Sequence, residues 1–147
     1  MAFVPTNKEE LERWLHRFHS VNDALDTTRL HEVYAKDITL QYGNRPPVHG
    51  LNNLIAFFEP TYKMLDSMHH KIAYFDLVGD GSRFYQPCHI TYRVKNDPEK
   101  EAIKIPAIGV WHLETAGEDV GKAKQFEVYL DPSPVTAAVA RATGQAI

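Results

Sequence analysis

Two different hydrophobic periodicities follow one another along this chain, and their order is the strongest constraint on its fold. In the first part, apolar residues recur every three or four positions, which is typical of one face of a helix. These residues are Leu11, Trp14, Leu15, Phe18, Val21 and Leu25. After Met68, apolar and polar residues alternate in segments rich in strand formers. Because helices come first and consecutive strands follow, the order predicts an α+β fold with a curved sheet packed on N-terminal helices.

The first half of the chain is predicted to form three helices and one short strand. The elements are a helix over about 7–25, a short helix over 29–35, a strand over 38–42, a loop over 43–47 and a helix over 51–58. Thr6 and Glu9 form a capping-box pattern in front of the first helix. Asp26 is expected to end that helix and to cap the next one. Pro60 is expected to interrupt the third helix, because proline lacks the N–H that a helix interior needs.

The second half is predicted to form four strands joined by hairpins and then a C-terminal helix. The strands cover about 68–78, 82–94, 103–113 and 124–130, and the helix covers 135–143. Gly79-Asp80-Gly81 and Asn96-Asp97-Pro98 are turn signals between strands. Neither a repeat nor a linker divides the sequence, so residues 1–147 are predicted to form a single domain.

Composition narrows the classes of function. A chain of 147 residues with 44% hydrophobic residues can bury a core without disulfides or a metal, and Cys88 is its single cysteine. A net charge of −3 disfavours nucleic acid or an anionic membrane as a partner, since either requires a basic excess. No apolar run approaches the length of a membrane span, and the N-terminus lacks the pattern of a secretory signal. A cytoplasmic protein is therefore expected.

Strand alternation predicts which side chains face the helices. The more apolar set of segment 68–78 consists of Met68, His70, Ile72 and Tyr74. This set is expected to face inward and His69 outward. The inward set of the last strand consists of Phe126, Val128 and Leu130. In segment 82–94 both faces are mixed, so the side on which His89 lies stays open.

The strand over 103–113 is apolar on both faces. Its apolar residues are Ile105, Ala107, Ile108, Val110 and Trp111. A strand that is buried on both sides needs cover on its outer side as well. A second copy of the chain is the simplest cover, so a homo-oligomer, most simply a dimer, is expected.

Two side chains on predicted inward faces can carry acid–base chemistry. His70 can donate or accept a proton near neutral pH. The alternative is a hydrogen-bonded core histidine, which composition alone favours. Tyr42 ends the first strand on the same face as Ile38 and Leu40, where its hydroxyl can polarise a substrate carbonyl. The alternative for Tyr42 is an aromatic cover over the core.

Asn22 continues the helical line of Trp14 and Phe18, so it is predicted on the buried side of the first helix, next to Asp23. A polar residue on an apolar face needs a hydrogen-bond partner or a function, and capping of the helix end is the alternative. His89 is a second candidate ring for the pocket, and an outward position is its alternative.

Neither a metal nor a cofactor is expected. A metal site built from His69, His70 and His89 is disfavoured, because adjacent residues on a strand point to opposite faces. The sequence contains no phosphate-binding loop, no dinucleotide-binding glycine pattern and no nucleophile elbow.

Five segments carry a resemblance to a known family. They are LHEVYAKDITLQYG, VHGLNNLIAFF, SMHHKI, AIKIPAIGVWHLE and QFEVYLDPSP, in this order. With them, the chain from Leu11 to Pro134 resembles SnoaL-like members of the nuclear transport factor 2-like (NTF2-like) superfamily, whose fold is a cone-shaped α+β barrel. That superfamily includes dehydratases, cyclases, isomerases, epoxide hydrolases and non-catalytic proteins, so the fold alone does not choose a function.

Among these enzymes, the chain is most similar to scytalone dehydratase-type lyases. The positions that match their catalytic residues are Asp23, Tyr42, His70 and His89. Asn22 stands where these lyases have a tyrosine, and Ile108 where they have a pocket asparagine. The steroid-isomerase pattern fits less well, because its aspartate base falls at Tyr42, and the carboxylates of the epoxide-hydrolase pattern have no clear counterpart.

The resemblance implies a cofactor-independent lyase or isomerase that acts on a polycyclic or polyketide-like molecule in secondary metabolism. The residues expected to contact a small apolar or aromatic substrate are Trp14, Phe18, Asn22, Phe58, Tyr62, Met68, Ile108 and Phe126. The alternative is a non-catalytic small-molecule-binding or assembly domain of the same fold.

Overall fold

The first helix, α1 (Lys8–Asp23), begins at a cap one residue further along than the sequence pattern predicts. In the computed structural model, which describes residues 3–145, the side chain of Asn7 accepts a hydrogen bond from the N–H of Glu10 at 2.9 Å. The Glu10 carboxylate in turn accepts from the N–H of Thr6 at 2.8 Å. The predicted pairing of Thr6 with Glu9 is therefore wrong by one position, although the helix start does have two reciprocal hydrogen bonds of the capping-box type.

The remaining elements follow the predicted order, and several of them differ from the prediction in extent. They are a 3-10 helix (Thr27–Glu32), β1 (Tyr34–Tyr42), β2 (Val48–His49), α2 (Leu51–Met64), β3 (Leu65–Ile72), β4 (Asp76–Val78), β5 (Arg83–Val94), β6 (Ile103–Leu113), β7 (Ala123–Leu130) and α3 (Ser133–Thr143). Asp26 caps the 3-10 helix through the N–H of Thr28, as expected. The predicted short helix ends earlier, because Tyr34 already pairs with Ala123 of the sheet. The strand β2 was not predicted.

All seven strands of the described chain belong to one mixed sheet. Its order is β2-β1-β7-β6-β5-β3, with β4 paired to β5 beyond the end of β3. The strands β1 and β7 are parallel, and the other neighbours are antiparallel. The sheet stays open between β2 and β3. The predicted α+β class, with N-terminal helices against a largely antiparallel sheet, is confirmed.

Pro60 lies inside α2 rather than at its end, which corrects the prediction. Pro60 and Ala56, whose carbonyl the proline cannot bond, are both exposed. Water can therefore hydrogen-bond to the Ala56 carbonyl, which lowers the usual free-energy cost of a proline inside a helix. Beyond the proline, Tyr62 is buried to 6% exposure, and its burial favours continuation of the helix.

The predicted strand over 68–78 is divided into β3 and β4. Both pair with β5, and the break places residues 73–75 opposite residues 86–87, so one extra residue bulges out. Pro87 has no N–H to donate at this point, and its carbonyl accepts from the N–H of Ala73 at 3.0 Å. The bulge shifts the alternation, and Tyr74, predicted to face inward, is 60% exposed.

An aromatic cluster fills the space between α1 and the sheet. The ring of Trp111 lies 5.3 Å from that of Phe18, 6.1 Å from that of Trp14 and 4.9 Å from that of Phe126, centroid to centroid. Gly109 makes room for this arrangement, because a Cβ at that position would come within 2.4 Å of the Trp111 ring. The cluster closes one end of the space inside the sheet and leaves the other end open.

The outer face of β6 carries Ile108 and Val110, both half-buried. The inward residues of this strand are Ile105, Ala107 and Trp111. The prediction that Ile108 contacts a ligand inside the fold is therefore wrong, because its parity on β6 places it on the outer face. The homo-oligomer that would cover this face stays a prediction.

Candidate active site

A cavity of about 350 Å³ lies between the sheet and the helices. Its wall is largely aromatic, with Phe18, Tyr34, Tyr42, Phe57, Phe58, Tyr62, Tyr92 and Phe126. Asn22, Met68 and His70 add the other wall residues that the sequence had predicted, and α3 contributes Val135 and Val139. Trp14, which was also predicted, does not line the cavity: it is fully buried, and its indole N–H donates to the carbonyl of Gly121 at 2.7 Å.

A carboxylate and an imidazole form the polar centre of this wall. Asp23 is the last residue of α1, and His70 lies on β3, against which α1 packs. The Oδ1 atom of Asp23 lies 2.6 Å from Nδ1 of His70, and its Oδ2 atom accepts from the backbone N–H of His70 at 3.0 Å. The side chains are only 17% and 13% exposed. One carboxylate thus contacts both the backbone N–H and the Nδ1 atom of His70.

The Asp23 contact decides which nitrogen of His70 can react. A carboxylate accepts hydrogen bonds, so Nδ1 of His70 carries the proton that points at Asp23. In the neutral ring, Nε2 is then the acceptor, and it is the nitrogen left for a ligand. His69 points away from the cavity, with 76% of its side chain exposed, as strand alternation predicted.

Tyr42 places a phenol in the cavity. Its ring packs against those of Phe57 and Phe58, at centroid distances of 5.3 and 6.4 Å. Burial raises the pKa of Tyr42, an effect that nearby Arg45 partly offsets, so the hydroxyl stays protonated at neutral pH. Within residues 3–145 that hydroxyl has no hydrogen-bond partner, which leaves it free to donate to a ligand oxygen.

Tyr92 is a second phenol in the cavity wall, and sequence reasoning missed it. It is 7% exposed, and its hydroxyl finds no hydrogen-bond partner in the described part of the chain. Burial raises the pKa of Tyr92 well above its usual value. The inward position of Tyr92 follows from the register between β5 and β6. Phe84 pairs directly with inward-facing Trp111, so the even-numbered residues of β5 face inward.

Asn22 holds two further tyrosines in place. Its Oδ1 atom accepts from the hydroxyl of Tyr34 at 2.9 Å and from that of Tyr62 at 3.2 Å. Its Nδ2 atom donates to the carbonyl of Phe18 at 2.9 Å. Asn22 is 5% exposed, and both the oxygen and the nitrogen of its amide are hydrogen-bonded, so its first role is to order this side of the wall.

His19 is the second site residue that the sequence interpretation left unassigned. It is 6% exposed, and its ring stacks on that of His70 with a centroid distance of 4.4 Å and an interplanar angle of 18°. The buried position of His19 was predictable from the helical periodicity, because His19 follows Leu11 and Leu15 at a spacing of four. Burial is the main reason why the pKa of His19 falls to about 3, and the neighbouring His70 adds to the effect.

Acid is expected to destabilise the fold through His19. Its pKa is depressed from 6.5 to about 3 in the folded state, so the unfolded chain binds the extra proton as the pH falls through this range. Stability should be lost by up to about 1.4 kcal/mol per pH unit from this group alone. Urea unfolding at about pH 7, 6 and 5 should show a shallower loss for His19→Phe than for the wild type. The exposed neighbour His16, changed to Gln, should keep the wild-type slope, and an unchanged slope for His19→Phe would contradict the assignment.

No family model matches the sequence, and no curated protein matches it significantly. Solved structures match the fold over most of the chain. A protein assigned as a SnoaL-like polyketide cyclase, from Jannaschia sp. CCS1, superposes with a TM-score of 0.69 at 12% identity, over 88% of this chain and 90% of that one. An LEH-like epoxide hydrolase from M. tuberculosis gives 0.64 at 11% identity, over 90% of each chain. SalBIII, an epoxide hydrolase/cyclase-like enzyme described for pyran ring formation in the polyether salinomycin, gives 0.70 at 13% identity, over 88% and 96%. The chain has the SnoaL-like, NTF2-like fold.

In this SnoaL-like fold, His89 lies outside the cavity. Its odd number on β5 places it on the outer face, where it is exposed and paired with Lys71 and Pro106 of the neighbouring strands. The structure therefore brings Tyr42 and His70 to one cavity, with Asp23 bonded to His70 behind the wall, but leaves His89 apart, which corrects the expectation of a second histidine in the site.

The cavity of this SnoaL-like fold offers a base but no carboxylate of its own. Among the described residues, the lining includes no Asp or Glu, and Asp23 reaches the site only through His70. The steroid-isomerase and epoxide-hydrolase patterns, which require a carboxylate deep in the cone, are thus not favoured. Burial raises the pKa of the Cys88 thiol, which makes it a poor nucleophile. None of the helices described is long and apolar enough to cross a bilayer.

Proposed function

We propose that this protein is a cofactor-independent lyase or isomerase, of the dehydratase or cyclase type, that uses acid–base chemistry on a polycyclic or polyketide-like molecule. The observation that carries this proposal is the 2.6 Å contact between Asp23 and His70 at the wall of a cavity that also presents the unbonded hydroxyl of Tyr42. A base held by a carboxylate, with a phenol donor in the same cavity, is the minimum needed to form and stabilise an enolate.

The reaction would begin at Nε2 of His70. This nitrogen takes a proton from the carbon next to a substrate carbonyl; the electron pair of that C–H bond forms a C=C bond, and the π pair of the carbonyl moves to its oxygen. Tyr42 donates a hydrogen bond to the resulting enolate oxygen. Asp23 stabilises the imidazolium that forms, as the acidic member of a catalytic triad does. In a lyase, the enolate re-forms the carbonyl, a C=C bond forms to the β-carbon, the C–O bond of a β-hydroxyl group breaks, and the proton on His70 goes to that oxygen, which leaves as water. In an isomerase, it returns to another carbon.

The wall of the cavity supports an apolar or aromatic substrate. Eight aromatic side chains line it, and the other polar or charged lining residues are Asn22, Arg45, Thr61, His70 and Thr136. That balance is usual in sites for small organic molecules. The names of two structural neighbours, a polyketide cyclase and an enzyme of polyether biosynthesis, agree with a polyketide-like substrate in secondary metabolism.

A non-catalytic ligand-binding or assembly domain is the second candidate. One observation favours it: the hydroxyls of Tyr34 and Tyr62 already bond to Asn22 without any ligand. This side of the wall is therefore preformed for binding rather than arranged for reaction.

The proposal extends to assembly and location. The apolar outer face of β6, with Ile108 and Val110, supports a homodimer in which a second copy covers it. A cytoplasmic location is part of the same proposal, and it agrees with the single cysteine, Cys88, which cannot form an internal disulfide.

The test of the enzyme proposal is kinetic. On a panel of polyketide-like β-hydroxy and β-keto aromatic compounds, the wild type should turn over at least one, and Tyr42→Phe should lower kcat by about 10²- to 10³-fold, because one oxyanion donor is lost. His70→Gln should lower it by about 10²- to 10⁴-fold, because the base is lost. Tyr129, which is 44% exposed on the outer face, gives the control Tyr129→Phe, which should keep full activity.

Two outcomes would decide between the candidates. Unchanged turnover in both His70→Gln and Tyr42→Phe would refute the assigned roles. Tight binding of a panel compound by the wild type, without turnover of any compound that binds, would favour the binding domain instead.

A further inference from the structure

His19 is a buried titratable side chain that the proposed reaction does not use. It lies on the sheet side of α1 and does not line the cavity. Its ring nevertheless covers one face of the His70 ring at a centroid distance of 4.4 Å, nearly parallel to it. The hydrogen bond to Asp23 restrains His70 at one ring nitrogen only, and the stacked ring restrains its plane.

The ring of His19 is itself anchored. Its Nε2 atom lies 2.5 Å from Oε1 of Gln86, and Nε2 of Gln86 donates to the carbonyl of Pro87 at 2.6 Å. A carbonyl oxygen only accepts, so Gln86 must direct its NH₂ group to Pro87 and its oxygen to His19. Nε2 of His19 therefore carries the proton. Gln86 is fully buried on β5, opposite the break between β3 and β4.

The charge state of His19 suits this position. With a pKa of about 3, the ring is neutral whenever His70 takes up a proton in the proposed reaction. The charged groups near the pair are Asp23, which bonds to His70, and the exposed His69 and His16. A neutral aromatic face in contact with an imidazolium is attractive, whereas a second charged histidine would repel it.

We propose that His19 is a positioning residue, whose Gln86-anchored ring stacks on His70 and holds that imidazole in the single orientation that turns Nε2 to the ligand. The inference rests on the proposed role of His70 as the acid–base group. It does not require His19 to touch the substrate, and it assigns a purpose to the Gln86 amide on an otherwise apolar strand face. Without the stacked ring, the His70 imidazole is expected to turn about its χ2 axis and to populate both neutral tautomers.

Two variants of His19 isolate the ring face. Both His19→Phe and His19→Leu fill the space with an apolar side chain and lose the bond to Gln86, but only phenylalanine offers a flat ring. Two-bond ¹H–¹⁵N correlation spectra of the full-length protein at neutral pH report the tautomer of His70. We expect a single Nδ1–H tautomer in the wild type and in His19→Phe, and a mixture of both tautomers in His19→Leu. If His19→Leu does not fold, His19→Met replaces it.

Controls separate positioning from general loosening of α1. Leu15→Ala removes a fully buried side chain from the same helix, and His16→Ala removes an exposed imidazole; both should keep the single tautomer. A single tautomer in His19→Leu would overturn the inference, and so would a mixture in Leu15→Ala. Once a substrate is known, His19→Leu should lower kcat by about 10- to 100-fold with little change in KM. Because the spectra need no substrate, the positioning result stands apart from the enzyme proposal, which fails separately if His70→Gln keeps its turnover.

Discussion

Replacing Asp23 with asparagine is expected to lower kcat by about 10³- to 10⁴-fold. The carboxylate accepts from both the ring and the backbone of His70, at 2.6 and 3.0 Å. The two contacts use different carboxylate oxygens, whereas an amide has an oxygen at only one of these two positions and carries no charge to stabilise the imidazolium. The ring of His70 is then free to adopt the wrong tautomer. Steady-state kinetics on the compound that the wild type turns over would measure the loss.

The control for this prediction is Asp66→Asn, which removes the same charge from an exposed position at the start of β3. It should retain wild-type kinetics. Because Asp23 and His70 are expected to act as one unit, the double variant Asp23→Asn/His70→Gln should be no slower than the slower single variant. Fully additive losses would show that the two residues act independently, and near-normal activity of Asp23→Asn would remove Asp23 from the site.

The elements of this fold were predictable where local pattern and tertiary packing agree. The alternation in 103–113 reproduces the bounds of β6, and the helical periodicity reproduces α1 to within two residues at its C-terminus. Prediction failed where a distant partner decided the outcome. Pro60 is tolerated because its side of α2 meets solvent, and Tyr74 turns outward because Pro87, on another strand, interrupts the pairing.

The candidate site was likewise predictable only in part. The resemblance pointed to Asp23, Tyr42 and His70; in the structure Tyr42 and His70 line one cavity and Asp23 contacts His70, although 47 residues separate Asp23 from His70. His89 was misplaced because β5 carries mixed residues on both faces, so its orientation follows only from its register with β6. A stack such as that of His19 on His70 joins a helix to a strand, and no local pattern along either element predicts it.

Removing the side chain of Asn22 is expected to destabilise the fold by about 2–5 kcal/mol, the largest stability effect at this site. Asn22→Ala leaves the hydroxyls of Tyr34 and Tyr62 without their acceptor, and these tyrosines are only 1% and 6% exposed. Urea unfolding monitored by circular dichroism would measure the change. The triple variant Asn22→Leu/Tyr34→Phe/Tyr62→Phe should recover most of the loss, because it removes donors and acceptor together. A triple variant less stable than Asn22→Ala would mean that packing around Asn22, and not its hydrogen bonds, supports this wall of the cavity.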